Sequence, residues 1–202
     1  MKLPTSISIS SLSGVGKSRT GKLLLAKLQE PTVTDGEEPW QLLDLGLLPR
    51  QWAKEQGKTI EQEAAGRPAE LDLKIDNAAR DAFRRGHSIV LGRLSWWTAA
   101  EPEFGGKIFR VWLDRPSRVC AERRWLDGGG DKEAIHQKMV TRDIDDAHRY
   151  KECYKINLPP FSDRVDLVVS TLIHNADSVT KRIFECARCW ANGWSYAKEQ
   201  LL

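Results

Sequence analysis

Gly16-Lys17-Ser18 is the stretch best suited to chemistry, because a glycine, a lysine and a hydroxyl in that order can hold a polyphosphate. The pattern Gly-x-x-x-x-Gly-Lys-[Ser/Thr] turns backbone N–H groups inward around an anion, with glycines where a side chain would collide or φ must be positive. Here the N–H groups of Ser13, Gly14, Val15 and Gly16 would line the cradle and Lys17 would reach the β- and γ-phosphates of ATP. Ser18 would hold Mg²⁺ through its hydroxyl at a helix N-terminus, with Arg19 beside it. Position 11 is Ser where the pattern has Gly, and its Cβ is expected to restrict the loop. The competing reading is a plain Ser- and Gly-rich turn. Context favours the phosphate loop: Ile7 and Ile9 alternate with serines before it, and Leu23, Leu24 and Leu28 run helically after it.

Phosphoryl transfer spreads negative charge over the moving group, so positioned cations are the protein's main contribution. Arg123 and Arg124 precede Gly128-Gly129-Gly130, which reads as a hinge or lid tip, and a segment running from Arg142-Asp143 to Arg149 follows it. On a helix Arg142, Asp146 and Arg149 fall at i, i+4 and i+7, on one face, with Asp143 beside Arg142. The same spacing describes ordinary solvated pairs, Arg142 with Asp146 and Asp145 with Arg149. Placement next to a glycine hinge, downstream of a phosphate loop, favours a site. Gly92-Arg93 closes an apolar run, and ligands approach an open α/β sheet at the carboxyl ends of its strands. Arg50 carries no signal by itself.

These groups need elements to hold them. Strands are expected around Ile7 to Ile9, from His87 to Gly92, from Lys107 to Asp114 and from Val165 to Ser170. The acidic stretch from Pro31 to Trp40, with Asp35, Glu37 and Glu38, reads as a loop, and three helical segments fit between Arg50 and Arg85. Within them Thr59-Ile60-Glu61-Gln62 is a capped start, and Pro68 suits the first turn of the next helix. Helices follow Pro116 and run from about Asp131 to Tyr150, and Val179, Ile183, Ala187 and Trp190 mark a last one ending near Asn192-Gly193. Alternating strands and helices mean an α/β class with a mostly parallel sheet.

With 202 residues, 41% hydrophobic and 29% charged, the chain suits one domain with a sizeable core. Its 31 basic and 28 acidic residues leave +3, too little for a protein that coats nucleic acid or anionic lipid. No stretch approaches the ~20 apolar residues of a membrane span, and the start lacks a secretory signal, so a cytoplasmic protein with reduced thiols is expected. Cys186 and Cys189 lack a second ligand pair and read as helix packing rather than metal ligands.

In this order the motifs resemble those of the cytidylate kinases, the compact archaeal-type branch of the P-loop nucleoside monophosphate kinases. Gly46 to Gly57 is similar to the family's Gly-x-x-Phe-Arg-x-x-Ala-Lys-Glu-x-Gly, and Leu71 to Asp76 to its Ile-Asp-x-x-Ile-Asp. Leu91-Gly92-Arg93-Leu94 resembles Glu-Gly-Arg-Leu, and Arg142-Asp143-x-x-Asp146-x-x-Arg149-Tyr150 resembles the helix flanking the lid. Tyr154 to Asn157 and Asp166 to Thr171 resemble Tyr-Gly-Ile-Asp and Asp-Leu-Val-Ile-Asn-Thr. The resemblance implies a three-layer, adenylate-kinase-like P-loop fold: one domain with a five-stranded parallel sheet, a core of about 1–43, 86–123 and 149–202, a nucleoside-monophosphate-binding helical insert of about 44–85, and a short lid of about 124–148. It implies transfer of the ATP γ-phosphoryl group to CMP or dCMP with Mg²⁺, in a monomer acting on small molecules. Arg50, Asp72, Gly92, Arg93, Arg142 and Asp143 would bind CMP, with Asp143 reading the cytosine edge. Lys17, Arg123, Arg142 and Arg149 would act on the transferring group, and Arg124 would join the ATP site.

The chain departs from that family at Ser11, at Leu91 where an acid precedes Gly-Arg, at Pro49 for Phe and at Asn157 for Asp. Loss of the acid at 91 is expected to remove a contact to Mg²⁺ or to Arg93. A kinase of another small metabolite on this scaffold, or a nucleotide-binding module with little turnover, remains an alternative. Trp96 and Trp97 follow Arg93 and read as packing in preference to base stacking.

Overall fold

β1 (Ser6–Ser10) is buried along its whole length, although alternating serines and isoleucines are the pattern of a strand with one wet face. In the computed structural model, which describes residues 2–34, 38–160, 162–172 and 174–193, the connection after the third strand covers the serine face. Ser8 Oγ donates to Ser95 Oγ at 2.9 Å, Ser10 Oγ lies 2.8 Å from the same hydroxyl, and Trp96 N donates to Ser10 Oγ at 3.1 Å. A buried hydroxyl without a partner costs about 1–3 kcal/mol, so this small network is what lets the strand sit inside.

The chain then runs through α1 (Lys17–Leu28), α2 (Pro31–Thr34), β2 (Gln41–Asp44), α3 (Leu47–Glu55), α4 (Ile60–Ala65), α5 (Ala69–Arg85), β3 (Ser88–Gly92) and α6 (Ser95–Thr98). It continues through β4 (Ile108–Asp114), α7 (Ser117–Gly128), α8 (Lys132–Tyr154), β5 (Leu167–Ser170) and α9 (Ala176–Ala191). All strand pairs are parallel, in the order β2-β3-β1-β4-β5. Side chains alternate across the sheet. Ile7, Ile9, Ile89, Leu91, Phe109 and Val111 pack with Leu24 and Leu28 of α1 and Ile183 of α9, while Val90 and Ile108 pack with Ala79 and Phe83 of α5 on the other face. Fully burying one such aliphatic side chain is worth about 1.5–3 kcal/mol, and these two clusters make the three layers.

The expected loop at 31–40 contains the short α2, and Asp35 and Glu37 fall outside the described residues. β2 is an edge strand of four residues that no alternation marks. The three helices between β2 and β3 follow the expected places, and Thr59 caps α4 reciprocally: its Oγ1 accepts from Gln62 N at 3.2 Å and Gln62 Oε1 accepts from Thr59 N at 2.9 Å. Pro68 stands one residue earlier than expected, as the N-cap of α5. Gly128 ends α7, Gly129 and Gly130 have φ of 68° and 92°, and Asp131 caps α8, which runs four residues past the expected Tyr150. None of the four cysteines is in a disulfide; Cys186 is buried on α9, and no group of three metal-ligating side chains occurs among the described residues. No helix among the described residues is long and apolar enough to cross a membrane. Trp96 is buried and Trp97 packs edge-on against Tyr154, ring centroids 5.1 Å apart.

Candidate active site

The loop Ser11–Gly16 leaves the end of β1 and enters α1. Only its glycines use the left-handed region, Gly14 at φ 74° and Gly16 at φ 109°, so Ser11 needs no freedom a Cβ denies. The expected restriction at position 11 is absent. Ser11 is fully buried and its hydroxyl donates to Leu12 O at 2.8 Å. It also accepts from Lys17 Nζ at 2.8 Å, and Ser11 O and Leu12 O lie 3.1 and 3.2 Å from the same ammonium. Burial pushes Lys17 down to about 7, Arg93 adds to the push, and Asp44 and Asp143 oppose it.

The carboxyl ends of β1, β2 and β3 open into one cavity of about 340 Å³. Of the sequence-predicted residues, Ser13, Gly14, Val15, Gly16, Lys17, Ser18, Arg19, Arg50, Asp72, Gly92, Arg93, Arg124 and Arg142 line it. Arg123 lines a neighbouring cavity of about 330 Å³ with Thr171, Asn175 and Asp177, and Val15, Gly16 and Arg19 border both. Asp143 and Arg149 stand behind the wall. Asp143 Oδ1 accepts from Ser13 N at 3.2 Å and pairs with Arg93 Nη2 at 2.8 Å, so it faces the phosphate loop. Arg149 donates to Ala64 O at 2.7 Å, lies 3.1 Å from Asp72 and pairs with Asp146.

The face of α8 carrying Asp146 and Arg149 therefore packs on α4 and reaches Asp72 of α5 and Arg93 after β3, and the solvated pairing is not formed. Arg93 joins Asp146 and donates to Ser13 Oγ, while Arg67 pairs with Glu63 at 2.9 Å and Asp72 at 3.3 Å. Burial lowers the Arg93 guanidinium, with Asp143 working against it; Arg67, which Glu63 hydrogen-bonds, is raised despite its burial. Arg142 makes no ion pair among the described residues. Its Nε is buried without a partner, and burial, then Arg93, Arg67 and Arg50, pushes the group down to about 10. Asp143 opposes that push, and a guanidinium held among cations without an ion pair is suited to receive an anion.

Asp44, Arg67, Asp146 and Tyr154 also line the cavity. The sequence reading gave Asp146 only an orienting part and no site role to Asp44 or Arg67. Tyr154 donates to Asp76 Oδ2 at 2.7 Å, and burial raises both groups. Ser18 Oγ donates to Asp44 Oδ2 at 2.7 Å, and this hydroxyl and carboxylate are the hard oxygen donors that suit Mg²⁺ next to phosphates.

No family model matches the chain. It is 32% identical over 136 residues to a cytidylate kinase of Pyrococcus furiosus, covering 66% of this chain and 68% of that one. It is 32% identical over 128 residues to the Pyrococcus horikoshii cytidylate kinase, spanning 64% of that protein's length, and 28% identical over 167 residues to that of Methanocaldococcus jannaschii, covering 82% and 87% of the two chains. Among solved structures, an uncharacterized Eubacterium ventriosum protein aligns with TM-score 0.64 at 14% identity, covering 94% of this chain and 99% of that one. A Sinorhizobium meliloti gluconokinase aligns with TM-score 0.60 at 14% identity, covering 96% and 97%. At these identities the structural likeness is one of fold.

Proposed function

Because this chain belongs to the cytidylate kinase family, we propose that it transfers the γ-phosphoryl group of ATP to CMP, or to dCMP, releasing ADP. The observation that supports the reading is Arg142, a half-buried guanidinium that makes no ion pair among the described residues, its Nε buried without a partner, in a cavity it shares with the phosphate loop. The loop and Lys17 hold the donor phosphates. Arg142, Arg50 and Arg93 grip the acceptor phosphate, Asp143 orients Arg93, and Asp72, which holds Arg67 and Arg149, borders the acceptor. Ser18 would hold Mg²⁺, which when bound neutralises charge on the donor phosphates.

The acceptor phosphate oxygen is already ionised near neutral pH, so no general base is needed. The protein aligns the two phosphates, places positive charge around the transferring group and excludes water. Helices α3 to α5 form the acceptor-binding insert, and the α7–α8 hairpin about Gly129 and Gly130 forms the lid. Arg123 in the neighbouring cavity and Arg124 move onto the donor as the lid closes, and Arg149 joins the transferring group by leaving Ala64 O, Asp72 and Asp146. The chain works as a cytoplasmic monomer on small molecules.

ADP release measured over a panel of nucleoside monophosphates, gluconate and shikimate tests the reading. CMP or dCMP turnover well above the rest is expected. Release with a non-nucleotide acceptor alone, or with none, overturns it.

A further inference from the structure

β3 brings no carboxylate to the phosphate loop, because position 91, which departs from an acid, is a fully buried leucine. Its two Cδ atoms lie 2.9 and 3.0 Å from where a Cβ on Gly21 would stand, so this side chain faces α1. The parallel register pairs Leu91 with Asp44 on β2, one strand spacing of about 4.8 Å away. Leu42, two residues before Asp44, approaches the same point on Gly21 at 3.1 Å, so Asp44 also projects toward α1, nearer its first turn. There Asp44 Oδ1 accepts from Gly46 N at 3.0 Å, which fixes the carboxylate, and Oδ2 accepts the Ser18 hydroxyl proton at 2.7 Å. A hydroxyl that gives its proton to a carboxylate turns its lone pairs toward the cavity, as an oriented metal ligand does.

We propose that Asp44, together with Ser18, holds the divalent cation of the bound nucleotide, so that the acid absent from β3 is supplied from the adjacent strand. The proposal rests on the phosphate-donor half of the reading above and is independent of which acceptor is used. Two protein oxygens plus phosphates and water match the way Mg²⁺ is usually held.

The test titrates Mn²⁺ into the full chain with the non-hydrolysable ATP analogue AMPPNP, reading free Mn²⁺ by paramagnetic resonance. Asp44→Asn is expected to weaken Mn²⁺ uptake by about 10- to 100-fold. Binding of metal-free AMPPNP in EDTA should stay unchanged or tighten, because a negative charge near the phosphates has been removed. A residue that only shapes the β2–α3 turn would weaken both, and that result overturns the proposal, as does a loss of Mn²⁺ affinity below about threefold. A wild-type chain that takes up no Mn²⁺ with AMPPNP overturns the proposal together with the donor assignment; normal uptake by a chain that fails to phosphorylate CMP leaves Asp44 in place and removes only the acceptor.

Discussion

Arg149 Nε lies 3.1 Å from Asp72 Oδ2, joining the far half of α8 to the first turn of α5 across the cavity wall. Asp72 also takes Arg67 at 3.3 Å, and Arg149 also takes Asp146, so charges from α5, α8 and the α4–α5 connection meet in one largely buried chain. Removing one member leaves its partners desolvated and unpaired, which costs about 3 kcal/mol in such settings. Asp72→Asn is therefore expected to lower the unfolding free energy of the free chain by about that amount, read by urea denaturation. A loss under about 1 kcal/mol means that the pairs are solvated in solution.

Arg142 should behave in the opposite way. Its charge is disfavoured by burial and by three neighbouring arginines; Asp143, which opposes them, is the smallest of these influences and makes no ion pair with it. Arg142→Met is expected to leave the thermal midpoint unchanged or raise it, while kcat/KM for CMP falls by about 100- to 1000-fold. Equal losses of stability and turnover show instead that the guanidinium is a packing element.

Ser11 also tests pattern against structure. The motif has Gly at this position, yet Ser11 has no positive φ and its buried hydroxyl bonds both Leu12 O and Lys17 Nζ. Ser11→Gly brings the loop closer to the pattern and should still destabilise the chain by about 1–2 kcal/mol, through the lost hydroxyl and the added unfolded-state freedom. A stabilised Ser11→Gly protein contradicts the hydrogen-bonded role.

These cases show why some of the site can be read in the sequence and some cannot. The phosphate loop, the capping box at Thr59 and the run of Gly92-Arg93 are local patterns, set by residues within a few positions of each other. Arg142, Asp146 and Arg149 share a helix face by spacing alone, but spacing does not say whether water or another helix meets that face. Here α4 covers it and Asp72 of α5 pairs with it, and Arg67 with Glu63, an i,i+4 pair of the kind found on surfaces, is buried for the same reason. Asp44 was hidden differently: Gln41–Asp44 has no alternation and becomes a strand through its pairing with β3.

Lys17 supplies a pH prediction whose sign follows from its surroundings. In the free chain its amine is pushed from 10.5 to about 7, so near neutral pH about half is uncharged. Donor phosphates favour the ammonium and return it toward its ordinary range. Nucleotide binding should then take up a proton: little at about pH 6, about half at pH 7 and nearly one at pH 8 to 9. Affinity accordingly falls by up to about tenfold per pH unit above 7. Calorimetry in buffers of different ionisation enthalpy reads this uptake, with Lys17→Met subtracted so that the titration of the nucleotide itself cancels. The same shift acts on folding. The lowered amine favours the native state above pH 10.5, and that contribution is lost as pH falls from 10.5 to about 7, because the unfolded lysine binds the proton first. Wild-type stability should therefore rise relative to Lys17→Met between pH 7 and 10. Proton uptake that is the same in both proteins shows that the ammonium, held by Ser11 and Leu12, is already charged before the phosphates arrive.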